Sequence, residues 1–115
     1  MRNFAASVTG MTLALGALSL TVAPTATAAT SCPSGTVCIR ETNGTILDKN
    51  IFRSYGPHNL SNVTGVRVVV NNQTGGAAFQ LCLGYNGTNC GDENRDTGEY
   101  PPHDMTPINS LYLVR

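Results

Sequence analysis

The chain has 115 residues, with seven Lys or Arg against seven Asp or Glu and four cysteines. A balance near neutrality with no basic cluster gives little electrostatic pull toward nucleic acid or an anionic membrane surface, so neither is expected as a partner. The length allows one small domain.

Residues 1–28 read as a signal peptide. Arg2 supplies a positive start, Met11–Leu20 is an apolar run too short to span a bilayer comfortably, and Ala26-Thr27-Ala28 has the small-x-small pattern of a cleavage site. The mature chain is then residues 29–115, exported and free of the membrane once the signal is removed. It keeps six basic residues against seven acidic ones and all four cysteines. An even cysteine number in a short exported chain points to disulfides, because a domain this small buries too little surface for comfortable stability. Cys32, Cys38, Cys82 and Cys90 allow three pairings. In the chain-entropy picture a local bridge contributes about 2–2.5 kcal/mol and a Cys38–Cys82 bridge about 4 kcal/mol, so energy does not choose. Proximity favours the short loops kinetically.

Val37-Cys38-Ile39 opens the first apolar stretch, and Asn43-Gly44 marks a turn. Val66, Val68 and Val70 alternate with Arg67 and Val69, a period of two that signals a half-buried strand. Asn71–Gly76 carries the residues of a hairpin loop. Phe79, Leu81 and Leu83 then alternate with Gln80 and Cys82, and Asn86-Gly87 marks a second turn. No useful window shows helical periodicity with caps.

The chain also aligns to itself. Tyr55–Val70 matches Tyr100–Arg115 without gaps, with Tyr, Pro, His and one Val identical and four further apolar positions kept. Val37-Cys38-Ile39 matches Leu81-Cys82-Leu83, and Asn43-Gly44-Thr45 matches Asn86-Gly87-Thr88. The expected fold is therefore all-β: two tandem repeats, about 32–72 and 77–115, each a four-stranded Greek-key unit, packed face to face as a sandwich.

Two motifs of about 40 residues, each closing on an apolar-x-x-apolar-x-apolar strand after a small-residue pair, resemble the βγ-crystallin fold. The opening Ser31-Cys32-Pro33-Ser34-Gly35-Thr36-Val37-Cys38 further resembles small secreted actinobacterial proteins of that fold, among them the metalloproteinase-inhibitor family. That resemblance also favours the pairs Cys32–Cys38 and Cys82–Cys90. It implies a peptidase inhibitor whose protease-facing element is the loop Cys82-Leu83-Gly84-Tyr85-Asn86-Gly87-Thr88-Asn89-Cys90. Leu83 is the candidate for the apolar pocket that many zinc endopeptidases hold just after the scissile bond, and Tyr85 for a second anchor. Leu83 also continues the Phe79–Leu81 alternation, and on that reading it belongs to the core.

Other chemistry is thinly supported. The calcium motif of the resembled fold needs two Asn or Asp residues, two spacers and then Ser/Thr-Ser. Leu60-Ser61-Asn62-Val63-Thr64-Gly65 and Met105-Thr106-Pro107-Ile108-Asn109-Ser110 both lack the leading pair. Asp92-Glu93-Asn94-Arg95-Asp96 echoes an EF-hand start, but Gly98 falls one place late and the twelfth position is His103. His58 and His103 stand at equivalent positions with no third ligand at metal spacing, so a bond from the ring to a loop carbonyl is expected. No motif places a nucleophile or paired carboxylates, and an enzyme is not expected. The Asn-x-Ser/Thr triplets at Asn43, Asn59, Asn62, Asn72 and Asn86 read as turn chemistry. The expectation is a monomeric secreted inhibitor of an extracellular protease, without cofactor. A killer-toxin-like or cell-surface effector, or a calcium-stabilised structural protein, is the alternative on this scaffold.

Overall fold

The computed structural model describes residues 28–29 and 31–115. The expected signal peptide, apart from Ala28, lies outside the described residues. Nine strands occur among them: β1 (Ala28–Ala29), β2 (Thr36–Arg40), β3 (Ile46–Phe52), β4 (Gly56–Asn59), β5 (Val66–Asn72), β6 (Ala78–Cys82), β7 (Gly98–Glu99), β8 (His103–Asp104) and β9 (Ser110–Val114). All pairings are antiparallel, and the described residues contain no helix. The fold is all-β, and both cysteine pairs are local: Cys32 bonds Cys38 and Cys82 bonds Cys90.

The strands form two sheets of unequal size. One runs β4-β9-β6; the other runs β1-β3-β2-β5-β7, with β8 also paired to β5. Within each half of the chain the last strand returns beside the first, β5 on β2 and β9 on β6. The segment in between crosses over. Gly56–Asn59 leaves the first half to pair with β9, Leu111 facing His58. Conversely, Gly98–Asp104 leaves the second half to pair with β5 through Val70↔Glu99 and Arg67↔His103. The two histidines that align in sequence therefore lie on edge strands of opposite sheets. The second crossing strand is broken into β7 and β8 because Pro101 and Pro102 have no N–H to give the ladder; the Tyr100 N–H still reaches Val69 O at 2.9 Å.

The expected four-and-four division of strands gives way for a local reason. Ile46–Phe52 in the first half is apolar at its ends and forms a full strand, with a register slip opposite Cys38–Arg40. Its counterpart after the second Asn-Gly turn, Gly91–Thr97, is polar throughout and meets β6 without a ladder, through the isolated bridge Phe79↔Asn94 and the Gly91 N–H on Leu81 O at 2.9 Å. A segment with no apolar face has nothing to hold it flat against a core, so it stays a loop.

One apolar core draws on both sheets: Val37, Ile39, Phe52 and Val69 from the larger, Phe79, Leu111 and Leu113 from the smaller, with Val63, Met105 and Ile108 from the connections. Phe79 meets Tyr100 edge to face, with centroids 4.9 Å apart. On β5 the buried side is that of Val69 and Asn71, while Val66 is exposed. Asn71 is buried because its amide has work there. Its Nδ2 faces Ala77 O at 3.3 Å, Asp96 O at 3.2 Å, and Asn94 O and Arg95 O at 3.5 Å, pinning the 94–96 loop to the sheet. Gln73 donates to Ala78 O at 3.0 Å and closes the same turn.

Candidate functional site

The loop between Cys82 and Cys90 is a miniature hairpin. The disulfide fixes its base, with the two Cα atoms 3.9 Å apart. Above it the Leu83 N–H donates to Asn89 O at 2.9 Å and the Gly84 N–H to Thr88 O at 3.0 Å. Asn86 (φ 59°) and Gly87 (φ 71°) make the reversal, the left-handed conformations that an Asn-Gly pair tolerates best. Thr88 Oγ1 donates back to Tyr85 O at 2.8 Å.

Three polar side chains from distant sequence clamp this hairpin. Asn109, just before β9, donates its backbone N–H to Cys82 O at 3.0 Å and its Nδ2 to Leu83 O at 2.8 Å. Ser110 Oγ donates to Gly84 O at 2.6 Å and accepts the Gly87 N–H at 3.0 Å. Asn59, at the end of β4, accepts the Asn86 N–H at 2.7 Å and donates its Nδ2 to Asn86 Oδ1 at 3.1 Å. The strand crossing places these groups together, since it lays β4 alongside β9. Gly87 closes the contact: a Cβ there would stand 2.4 Å from Tyr112 Cδ2 and 3.0 Å from Pro57 Cβ.

As a result much of the backbone of the loop, and all of it around Leu83, is already used. The carbonyls of Cys82, Leu83, Gly84 and Tyr85 all accept, and the N–H groups of Leu83, Gly84, Asn86 and Gly87 all donate, within the chain. Both polar groups of the Cys82–Leu83 peptide bond are engaged, and Cys82 is fully buried. What the loop offers outward is side chains. Leu83 is 48% exposed and Tyr85 56% exposed, with no charged residue between the two cysteines. Leu83 does not continue the core: the strand ends at Cys82, and the alternation of Phe79 and Leu81 stops with it.

The remaining candidates are spent internally. Asp104 Oδ1 accepts the Thr106 N–H at 3.0 Å, which holds its carboxyl below the ordinary range, and Thr106 Oγ1 accepts the Gly65 N–H at 2.9 Å. His58 Nε2 bonds Ser54 O at 2.7 Å, the expected loop carbonyl. No group of three or more His, Cys, Asp or Glu positioned to hold a metal occurs among the described residues. The Asn residues of the glycosylation-like triplets serve the backbone. Asn43 accepts the Thr45 N–H at 3.0 Å, Asn72 donates to Cys32 O at 2.8 Å, Asn62 takes a left-handed φ of 56°, and Asn59 and Asn86 bond each other.

The two cysteines and Asn86-Gly87 mark this hairpin in the sequence, whereas Asn59, Asn109 and Ser110 are not marked as its neighbours. The triplet at Asn59 and the small pair Asn109-Ser110 were visible, yet nothing local ties them to residues 82–87. No protein-family model, curated protein or solved structure matches this chain. Among the described residues no helix is long and apolar enough to cross a membrane.

Proposed function

We propose that the mature chain is a secreted binding module of βγ-crystallin-like, Greek-key architecture that inhibits an extracellular metalloprotease through the Cys82–Cys90 loop. The return of β5 beside β2 and of β9 beside β6, with the intervening segments exchanged between sheets, supports the Greek-key reading. The observation that carries the function is the pairing of two outward apolar side chains, Leu83 and Tyr85, with peptide groups on both sides of Leu83 that are bonded within the chain. A loop ordered before contact loses little conformational entropy on binding, so its apolar contacts appear as affinity. Leu83 enters an apolar protease pocket and Tyr85 packs at its rim. The Cys82–Leu83 bond resists hydrolysis because its carbonyl and N–H are held by Asn109 and Asn89, and the disulfide keeps cut ends together.

The test is a titration of the oxidised mature chain against secreted zinc, serine and cysteine proteases. Stoichiometric inhibition of a zinc endopeptidase supports the reading. Full protease activity in every class at large excess overturns it, and growth assays against fungi and neighbouring bacteria then address an effector on the same scaffold.

A further inference from the structure

Beside the loop, on its 91–103 side, lies an open cleft of about 570 Å³, within the range of small-ligand sites. Its lining is largely apolar, including Val69, Leu81, Leu83 and Ile108 with Tyr100 and Pro101. We propose that this cleft is a second binding site, taking a peptide segment in which an apolar side chain is followed by Lys or Arg.

Three features define that ligand. The lining suits one apolar side chain. Asn89, on the rim, carries a side-chain amide with no hydrogen bond among the described residues, free to both donate to and accept from a peptide main chain. Asp92, also on the lining, has no ion pair or side-chain hydrogen bond among the described residues. His103 is the one basic residue on the lining; no Lys or Arg is there, and the nearest one in sequence, Arg95, is bound to Glu93 and to the carbonyls of Gly76 and Arg115. A cation is therefore preferred over an anion at this rim.

The rim is also built rather than loose. Asn71 holds the carbonyls of residues 94–96, the Tyr100 hydroxyl donates to Asp96 O at 2.8 Å, and Gln80 Nε2 donates to Gly91 O at 2.8 Å. Strand addition is excluded as the binding mode. Phe79 already exchanges both backbone bonds with Asn94, and Leu81 O is taken by the Gly91 N–H, so the adjoining edge of β6 is too far engaged to pair with a further strand here. Recognition is by side chains.

The cleft shares Leu83, Asn89 and Cys90 with the inhibitory loop, but peptide binding is read directly, so its failure is distinguishable from a failure of protease inhibition. The experiment is an amide-resolved NMR titration of the oxidised mature chain with N-acetyl-Phe-Arg-amide and its uncharged isostere N-acetyl-Phe-citrulline-amide. The expected shifts cluster at Leu81, Tyr100 and Ile108. The arginine peptide should bind about threefold to fivefold more tightly at low salt, the range of an exposed ion pair. Asp92→Asn, at an exposed position, should abolish that preference while leaving the citrulline peptide unaffected. Equal binding of the two peptides to the unaltered chain overturns the proposal. So do shifts that fall elsewhere, or no shift at probe concentrations of about 10 mM.

Discussion

Replacing Gly87 by alanine isolates the contact that seats the loop on β4 and β9 of the smaller sheet. Two costs add. A φ of 71° is left-handed, which costs an L-residue about 1 kcal/mol. The new Cβ would also lie 2.4 Å from Tyr112 Cδ2 and 2.8 Å from Tyr112 Cε2, well inside a normal carbon contact. Pro57 Cβ, 3.0 Å away, blocks a simple shift. Overpacking of this kind adds about 1–3 kcal/mol. The total is about 2–4 kcal/mol, a fall in Tm of about 10–25 °C for a domain of this size. Gly44, its counterpart in the first half, supplies the control. It has φ 93° and nothing within 4 Å of where a methyl group would stand, so Gly44→Ala should cost the conformational part alone, about 1 kcal/mol. Urea melts of both variants and of Gly87→Ala/Tyr112→Ala, which removes the ring, complete the comparison. The double variant should be more stable than the sum of its single losses. If Gly87→Ala and Gly44→Ala cost the same, the loop is not packed against Tyr112 as described.

Two further outcomes are expected. Removing either disulfide by paired Cys→Ser substitution should cost a similar stability, about 2.5 kcal/mol on the loop-entropy model, while only the Cys82/Cys90 variant loses target binding; equal losses of binding would contradict the loop assignment. Asp104 sits below the ordinary carboxylate range because the Thr106 N–H bonds its ionised form, so its contribution is present at neutral pH and is lost as pH falls from about 4 through the lowered folded value. Asp104→Asn should flatten the acid limb of a Tm-against-pH series, and an unchanged limb would refute that role.

The parts of this fold legible in the sequence are those with a local cause. The apolar stretches at Val37–Ile39 and Phe79–Leu81, the two Asn-Gly turns and the short cysteine spacings each point to a structure within a few residues, and each is present. The phase of β5 was not legible: Val66-Arg67-Val68-Val69-Val70 is apolar on both faces, so alternation could not tell that Val69 and Asn71 turn inward. Strand exchange between the halves was equally hidden, because pairing of Gly56–Asn59 with β9 depends on residues more than fifty positions away. The clamp on the loop suffers the same way. Asn59 reaches Asn86, Asn109 reaches Leu83 and Ser110 reaches Gly84 across separations of 27, 26 and 26 residues, and amide or hydroxyl side chains carry no periodic signal.

The proposed inhibition turns on Leu83, whose flanking peptide groups are bonded within the chain, as the binding anchor. The direct measurement is residual activity of a secreted zinc endopeptidase against increasing molar ratio of the oxidised mature chain, with Leu83→Asp in parallel. Because Leu83 is half exposed, the variant should fold with stability changed by no more than about 1 kcal/mol. A linear fall to zero activity at equimolar unaltered chain is expected, with no fall for the variant. Equal inhibition by a folded Leu83→Asp chain would contradict that role for Leu83.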